Sequence, residues 1–158
     1  MQAEPASRVG LIQALSIMTS VTISPPSDEE VRHGLPLGRR LREFNYRHIG
    51  EYPESQVVWL NAKDSNGVAI GGIRGTVHMY WLRVEFLWVE EAVRRAGVGG
   101  RLLAEAEARA REFGAQNSCL ETLEWQAPDF YRKQGYVEVA RLDNYVDGRY
   151  LAYMRKQL

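Results

Sequence analysis

The chain has 158 residues, enough for one domain with a sizeable core, and its 45% hydrophobic and 25% charged composition is that of an ordinary soluble globule. Twenty basic and twenty acidic side chains cancel, so no global field is expected to recruit nucleic acid or a membrane surface. The single cysteine excludes an internal disulfide and fits a cytoplasmic protein, and no apolar run approaches the length of a membrane span.

Residues 1–20 include a mildly apolar run, Gly10 to Met18, but only Arg8 precedes it and no convincing small-residue cleavage site follows, so a flexible N-terminal extension is expected rather than a signal peptide. From residue 21 to 158 nothing interrupts the pattern as a linker or repeat would, and a single domain is expected. Val21-Thr22-Ile23 is a short candidate strand. Ser24-Pro25-Pro26-Ser27 stops it, and Ser27 with Glu30 three residues on is a capping box that opens a helix. Gly34 and Pro36 interrupt that helix. A second runs from Leu37 to His48, with Leu37, Leu41, Phe44 and His48 along one face, and Gly50 ends it.

Strands follow. Val57 to Ala62 is apolar and β-branched, Asp64-Ser65-Asn66-Gly67 is a turn, and Val68 to Arg74 returns as the partner strand. Val77 to Trp81 continues or restarts that strand, and Arg83 to Val89 completes a meander. Strict alternation puts Glu85, Leu87 and Val89 on one face of the last strand, with Phe86 and Trp88 on the other.

Next comes Arg94-Arg95-Ala96-Gly97-Val98-Gly99-Gly100, ahead of a strongly patterned helix. Leu102, Leu103, Ala106, Ala110 and Phe113 form its apolar stripe, and Glu105 to Arg109 and Glu107 to Arg111 are i,i+4 pairs in the favourable order. Gly114 is its stop. A strand, glycine-rich loop and helix in succession can hold an anion, because the first helical amides lack intrahelical acceptors and lie at the positive end of the dipole. The loop has no Lys-Ser/Thr after its glycines, which excludes a Walker loop. It also lacks the spacing and second half of a dinucleotide fold. Ser118 to Leu123 then reads as a strand parallel to the one before the loop, since a helical crossover separates them. Pro128 opens a short helix over Asp129 to Gln134, closed by Gly135. Tyr136 to Ala140 and Tyr150 to Met154 are the last strands, a hairpin across Asp143 to Gly148.

The spacing Arg94-x-x-Gly97-x-Gly99 resembles the pyrophosphate loop of the GNAT superfamily of acyl-CoA-dependent N-acyltransferases. Ala127-Pro128-Asp129-Phe130-Tyr131-Arg132-Lys133-Gln134-Gly135-Tyr136 is similar to that family's Ala-x-x-x-Tyr-x-x-x-Gly-Phe/Tyr segment, at the expected distance downstream. The order of elements from residue 21 to 158 also matches. The resemblance implies an α/β fold with a mixed central sheet, flanked by helices and splayed between the strand before the loop and its parallel neighbour. It implies N-acetyl transfer from acetyl-CoA to a primary amine by direct attack in a ternary complex. The competing class is a non-catalytic acyl-CoA sensor with the same fold.

Carried over residue by residue, the resemblance places the pantetheine arm along the backbone of Leu87 and Val89. The diphosphate falls on the amides of Arg95, Ala96, Gly97, Val98, Gly99 and Gly100, with Arg94 and Arg95 supplying charge. Tyr131 matches the family tyrosine that protonates the coenzyme A sulfur, and Glu85 stands where some members carry the base. Trp88, Glu121 and Trp125 are candidate acceptor contacts, and Glu85, Glu90, Glu121 and Glu124 would suit a cationic amine. Glu124 departs from the asparagine that many members carry beside the cofactor. His33, His48 and His78 show no ligand spacing, so no metal is expected. Cys119, in an apolar strand, reads as a packed thiol. The expected partner is a small-molecule or peptide amine; a homodimer is among the arrangements the family uses.

Overall fold

The computed structural model describes residues 21–33 and 37–158. The expected extension over residues 1–20, and the helix break at Gly34 and Pro36, lie outside the described residues. The chain divides into two compact units, Met1–Gly50 and Glu51–Leu158.

In the first unit the expected strand at Val21-Thr22-Ile23 is not formed: these residues have no regular structure, and Ile23 is 94% exposed. Three residues cannot hold an extended conformation without a ladder partner, and Pro25 and Pro26 offer no N–H to extend one. Helix α1 (Asp28–His33) opens as expected. Ser27 N–H donates to Glu30 Oε2 at 2.7 Å and Glu30 N–H donates to Ser27 Oγ at 3.3 Å, the reciprocal capping box. The Ser27 N–H and the Ser27 hydroxyl, which also donates to Oε2 at 2.8 Å, hold the Glu30 carboxyl below its usual range. Helix α2 (Leu37–Ile49) carries the expected apolar face, and Gly50, at φ +76°, takes the left-handed stop while its N–H reaches Tyr46 O at 3.0 Å.

The second unit is built on a six-stranded sheet in the order β1-β2-β3-β4-β6-β5. Its strands are β1 (Gln56–Lys63), β2 (Ala69–His78), β3 (Trp81–Val89), β4 (Asn117–Leu123), β5 (Val137–Val146) and β6 (Arg149–Gln157). Only β3 and β4 pair in parallel, the geometry required by a helical crossover. That crossover is α3 (Val98–Glu112), and α4 (Pro128–Lys133) follows β4.

Two strand boundaries differ from expectation. Val77 continues the preceding strand, one of the two expected arrangements, but that strand, β2, ends at His78 and the chain turns at Met79-Tyr80, so that Trp81 already belongs to β3. Met79 (φ 46°) and Tyr80 (φ 68°) both adopt positive φ without being glycine. Tertiary contacts hold this turn, because Tyr80 O accepts the N–H groups of Gln116 and Asn117 at 2.8 and 3.3 Å. The last hairpin is also longer than expected, turning at Asp147-Gly148 rather than across a six-residue loop.

The core lies between the sheet and the helices. Ile73, Leu82, Leu103, Met154 and Tyr136 are essentially fully buried, and the expected stripe of α3 supplies Leu102, Leu103, Ala106 and Ala110. Glu105 pairs with Arg109 as expected, at 3.1 Å. Glu107 does not pair with Arg111. It is only 4% exposed, with Lys156 Nζ at 2.7 Å from Oε2 and Tyr136 Oη at 3.1 Å from Oε1. A carboxylate on the core side of the helix finds its counter-charge on β6, since burial without one would cost several kcal/mol, of order 3–5.

Candidate active site

Pairing between β3 and β4 covers Trp81↔Asn117 to Val84↔Leu120 and stops there, while β4 continues beside β6 as far as Leu123↔Leu151. From Glu85 to Val89 the β4-side edge of β3 therefore has no neighbouring strand. This is the expected splay. Glu90 N–H bonds Ile70 O at 2.9 Å, and Val89 faces Gly71 in the register. Antiparallel pairs alternate, so Leu87 and Val89 turn their backbone groups away from β2, towards the open edge.

A bulge modifies the expected alternation. Arg74 faces Phe86 while Gly75 faces Val84, which leaves Glu85 as the extra residue. Leu82, Val84, Leu87 and Val89 all reach the core side, but Glu85 does not share a face with Leu87 and Val89. Its carboxylate accepts the Thr76 hydroxyl at 2.7 Å and pairs with the Arg74 guanidinium. Gly75 permits this crossing, since a Cβ there would stand 2.6 Å from Arg83 O.

Beyond β3, a single 3₁₀ turn (Glu91–Val93) leads to the glycine loop. Arg95 (φ 66°) and Gly97 (φ 82°) are left-handed, and Gly97 caps α3 without a side-chain bond. Arg101 N–H is the first to reach back, to Gly97 O at 3.1 Å, so the amides of Val98, Gly99 and Gly100 have no intrahelical acceptor. The Ala96 amide is already engaged, with Val93 O at 3.4 Å. The Arg94 side chain folds back: Nε donates to Val89 O at 3.0 Å and the guanidinium carbon lies 4.6 Å from the Trp88 ring centroid.

The splay, the loop and the start of α4 enclose a cleft of about 1270 Å³. Of the candidate residues, Ala96 and Glu90 do not line it, while Glu85, Leu87, Trp88, Val89, Arg94, Arg95, Gly97, Val98, Gly99, Gly100, Glu121, Trp125 and Tyr131 do. Tyr131 is 7% exposed, and burial pushes its phenol up to about 12. Its hydroxyl has no hydrogen-bond partner among the described residues. Its neighbour Tyr136 is used differently, with Oη 2.7 Å from Ser118 Oγ and 3.1 Å from Glu107 Oε1.

The acidic set is partly neutralised from within. Glu121 Oε1 accepts from Arg83 at 2.7 Å, Glu85 is held by Arg74, and Glu124 Oε2 accepts the Tyr150 N–H at 3.3 Å. Glu90 does not line the cleft. Trp88 and Trp125 each already face a guanidinium, that of Arg94 and that of Arg149 respectively. Burial pushes the Cys119 thiol up, in keeping with a packed side chain rather than a thiolate.

Two supports of Glu85 and two residues lining the cleft carry no mark in the sequence. Arg74 and Thr76 hold Glu85, and the Asn-Gly hairpin could have set their register, but only the bulge brings them to it. Gln126 Oε1 accepts Leu123 N–H at 2.9 Å at the end of β4, and Gln134 lies 3.5 Å from where a Gly100 Cβ would stand. No local pattern marks either.

Residues 54–138, more than half of the chain, match the family described as acetyltransferase (GNAT) domain. Blasticidin-S acetyltransferase of Streptomyces morookaense is 48% identical over 109 residues, covering 68% of this chain and 80% of that protein. An acetyltransferase from Bacillus cereus has a similar structure, with TM-score 0.77 and 30% identity over 89% of this chain and 100% of the other. A Bacillus anthracis protein assigned as a streptothricin acetyltransferase, solved in complex with acetyl coenzyme A, has TM-score 0.58 and 25% identity, over 72% and 68% of the respective chains. With an open strand edge and a glycine loop at the head of a crossover helix, and with these relatives, the chain belongs to the GNAT family and is an acetyltransferase of that type.

Proposed function

We propose that the protein transfers an acetyl group from acetyl-CoA to an amine of a small molecule, by direct attack within a ternary complex. One observation carries the reading: an open backbone edge, a run of free helix-start amides and a tyrosine hydroxyl without a partner among the described residues line one cleft. In this reading the diphosphate sits on the amides of Val98, Gly99 and Gly100, with Arg95 and Gly97 shaping the loop around it. The pantetheine amides pair with Leu87 and Val89, which aims the thioester into the splay above Tyr131.

The neutral acceptor nitrogen attacks the thioester carbonyl carbon, the carbon–sulfur bond breaks, coenzyme A leaves as the thiolate, and the one proton that the nitrogen gives up ends on the sulfur. In this reading Tyr131 is the residue that meets the sulfur. A phenol at about 12 holds its proton too firmly to surrender it outright to a thiolate whose conjugate acid is near 8.5. The role that fits is a hydrogen bond to the developing thiolate, which stabilises the departing charge while the proton itself comes from the amine. Glu85 is the carboxylate assigned to that proton, through water, because both its oxygens are engaged by Thr76 and Arg74.

Blasticidin S is the first acceptor to test, because the relative with that name is 48% identical across two-thirds of the chain. With arginines on Glu85 and Glu121, the reading does not require the acidic set to select positive charge. The sensor alternative is not favoured, since the similar proteins are named acetyltransferases. The test is acetyl-CoA-dependent thiol release with blasticidin S, aminoglycosides, polyamines, lysine peptides and neutral amines, with the acetylated product identified by mass. Transfer to blasticidin S at a rate far above hydrolysis is expected. Tight acetyl-CoA binding with no transfer to any amine would return the protein to the sensor class.

A further inference from the structure

We infer that Arg94 is a latch on the open edge of β3, which the diphosphate of acetyl-CoA releases. The inference rests on the reading above, that acetyl-CoA lies along β3 with its diphosphate at the loop. Val89 is the last residue of the strand, and its carbonyl turns towards the edge where β4 has already departed. A ligand amide approaching that edge needs this acceptor. The protein fills it first: Arg94 Nε donates to Val89 O at 3.0 Å, and the Trp88 ring, 4.6 Å from the guanidinium carbon, holds the group in place.

Arg94 also directly precedes the left-handed turn at Arg95 that leads into the free amides of α3. Two acceptors therefore compete for one guanidinium. One is a neutral carbonyl, the other a diphosphate with full negative charge, and charge-assisted bonds are about twice as strong as those to neutral partners. When the diphosphate arrives, the guanidinium transfers to it and Val89 O becomes free for the pantetheine amide. Recognition of one end of the ligand thus unlocks the seat of the other, and a thioester lacking the diphosphate meets a closed edge.

A structural staple at the same corner would behave differently, and two ligands separate the cases. Binding of acetyl-CoA and of S-acetylpantetheine, which has the thioester arm without the diphosphate, is measured calorimetrically on the full chain and on Arg94→Met, which keeps the apolar stem over Trp88. The latch predicts changes of opposite sign. Acetyl-CoA weakens about tenfold, the scale of one lost bond to a charged group, and S-acetylpantetheine tightens about threefold. Trp88→Leu, which loosens the hold without removing the charge, is expected to tighten S-acetylpantetheine, which a structural staple would not do. Parallel losses for both ligands in Arg94→Met, or no change in either, overturn the latch while leaving acetyl-CoA binding by the native chain intact. A native chain that binds no acetyl-CoA overturns the underlying reading and the latch with it.

Discussion

Tyr131 and Tyr136 lie 5.8 Å apart, ring to ring, both buried, and the contrast between their hydroxyls separates function from structure. Tyr136 serves Glu107 and Ser118, so removing its hydroxyl strands two buried groups. Tyr136→Phe is expected to cost about 1–3 kcal/mol of stability. Tyr131→Phe removes a hydroxyl that no described residue uses, so the fold should be as stable or slightly more so. Its kcat should fall ten- to a hundredfold, the range for a lost bond to a developing charge. Thermal melts beside steady-state rates test both variants, and an undiminished kcat in Tyr131→Phe would leave that phenol only a packing role. Glu85→Gln tests the assigned base. It should lower kcat at least tenfold. A loss smaller than twofold would transfer the proton to water.

At the scale of the element, the junction of β3 and α3 depends on one backbone conformation. Gly97 stands at φ 82° with no atom within 4 Å of a Cβ built on it, so Gly97→Ala meets no clash and feels only the left-handed strain. That strain is about 1–2 kcal/mol, relieved by unwinding the first turn of α3. Acetyl-CoA affinity should then fall more than stability does. Gly99→Ala, whose Cβ would make ordinary contacts with Phe130 and Val89 at 3.5–3.6 Å, should fold normally. Circular dichroism melts and calorimetric titration of the two variants give the comparison; equal affinities would detach the cap from ligand binding. The loop was legible in the sequence because its function is local: glycines in fixed order, then a helix patterned on one side. The Ser27 capping box and the parallel partner of β3 were legible for the same reason. What escaped depends on contacts distant in the chain. The turn at Met79-Tyr80 has no Asn-Gly signal and is held by amides from Gln116 and Asn117. The bulge at Glu85 appears only when β2 and β3 are paired, and it moved the candidate base to the other face of the strand. Glu107 read as a surface partner of Arg111 because helical spacing says nothing of a lysine 49 positions away on β6.

For the molecule as a whole, the buried tyrosines tie the core to pH in a definite direction. An unfolded tyrosine titrates near 10, whereas burial pushes Tyr131 up to about 12 and Tyr136 higher still. Both folded values are raised, so below pH 10 the two states bind these protons equally and the contribution to stability is fully present. Above pH 10 the unfolded chain loses protons that the folded chain keeps. Stability then declines with rising pH, by up to about 1.4 kcal/mol per pH unit for each tyrosine, until the folded phenols ionise or the fold gives way. The check is absorbance at the tyrosinate band during an alkaline titration, followed together with far-ultraviolet dichroism. Tyr131 and Tyr136 should ionise only with cooperative unfolding, which the dichroism reports. Tyr136→Phe should remove one of the two late protons. If these two ionised with the dichroism intact, water would have to reach the contact among α3, β4 and α4, and the phenol assigned to the cleft would lose its low-dielectric setting.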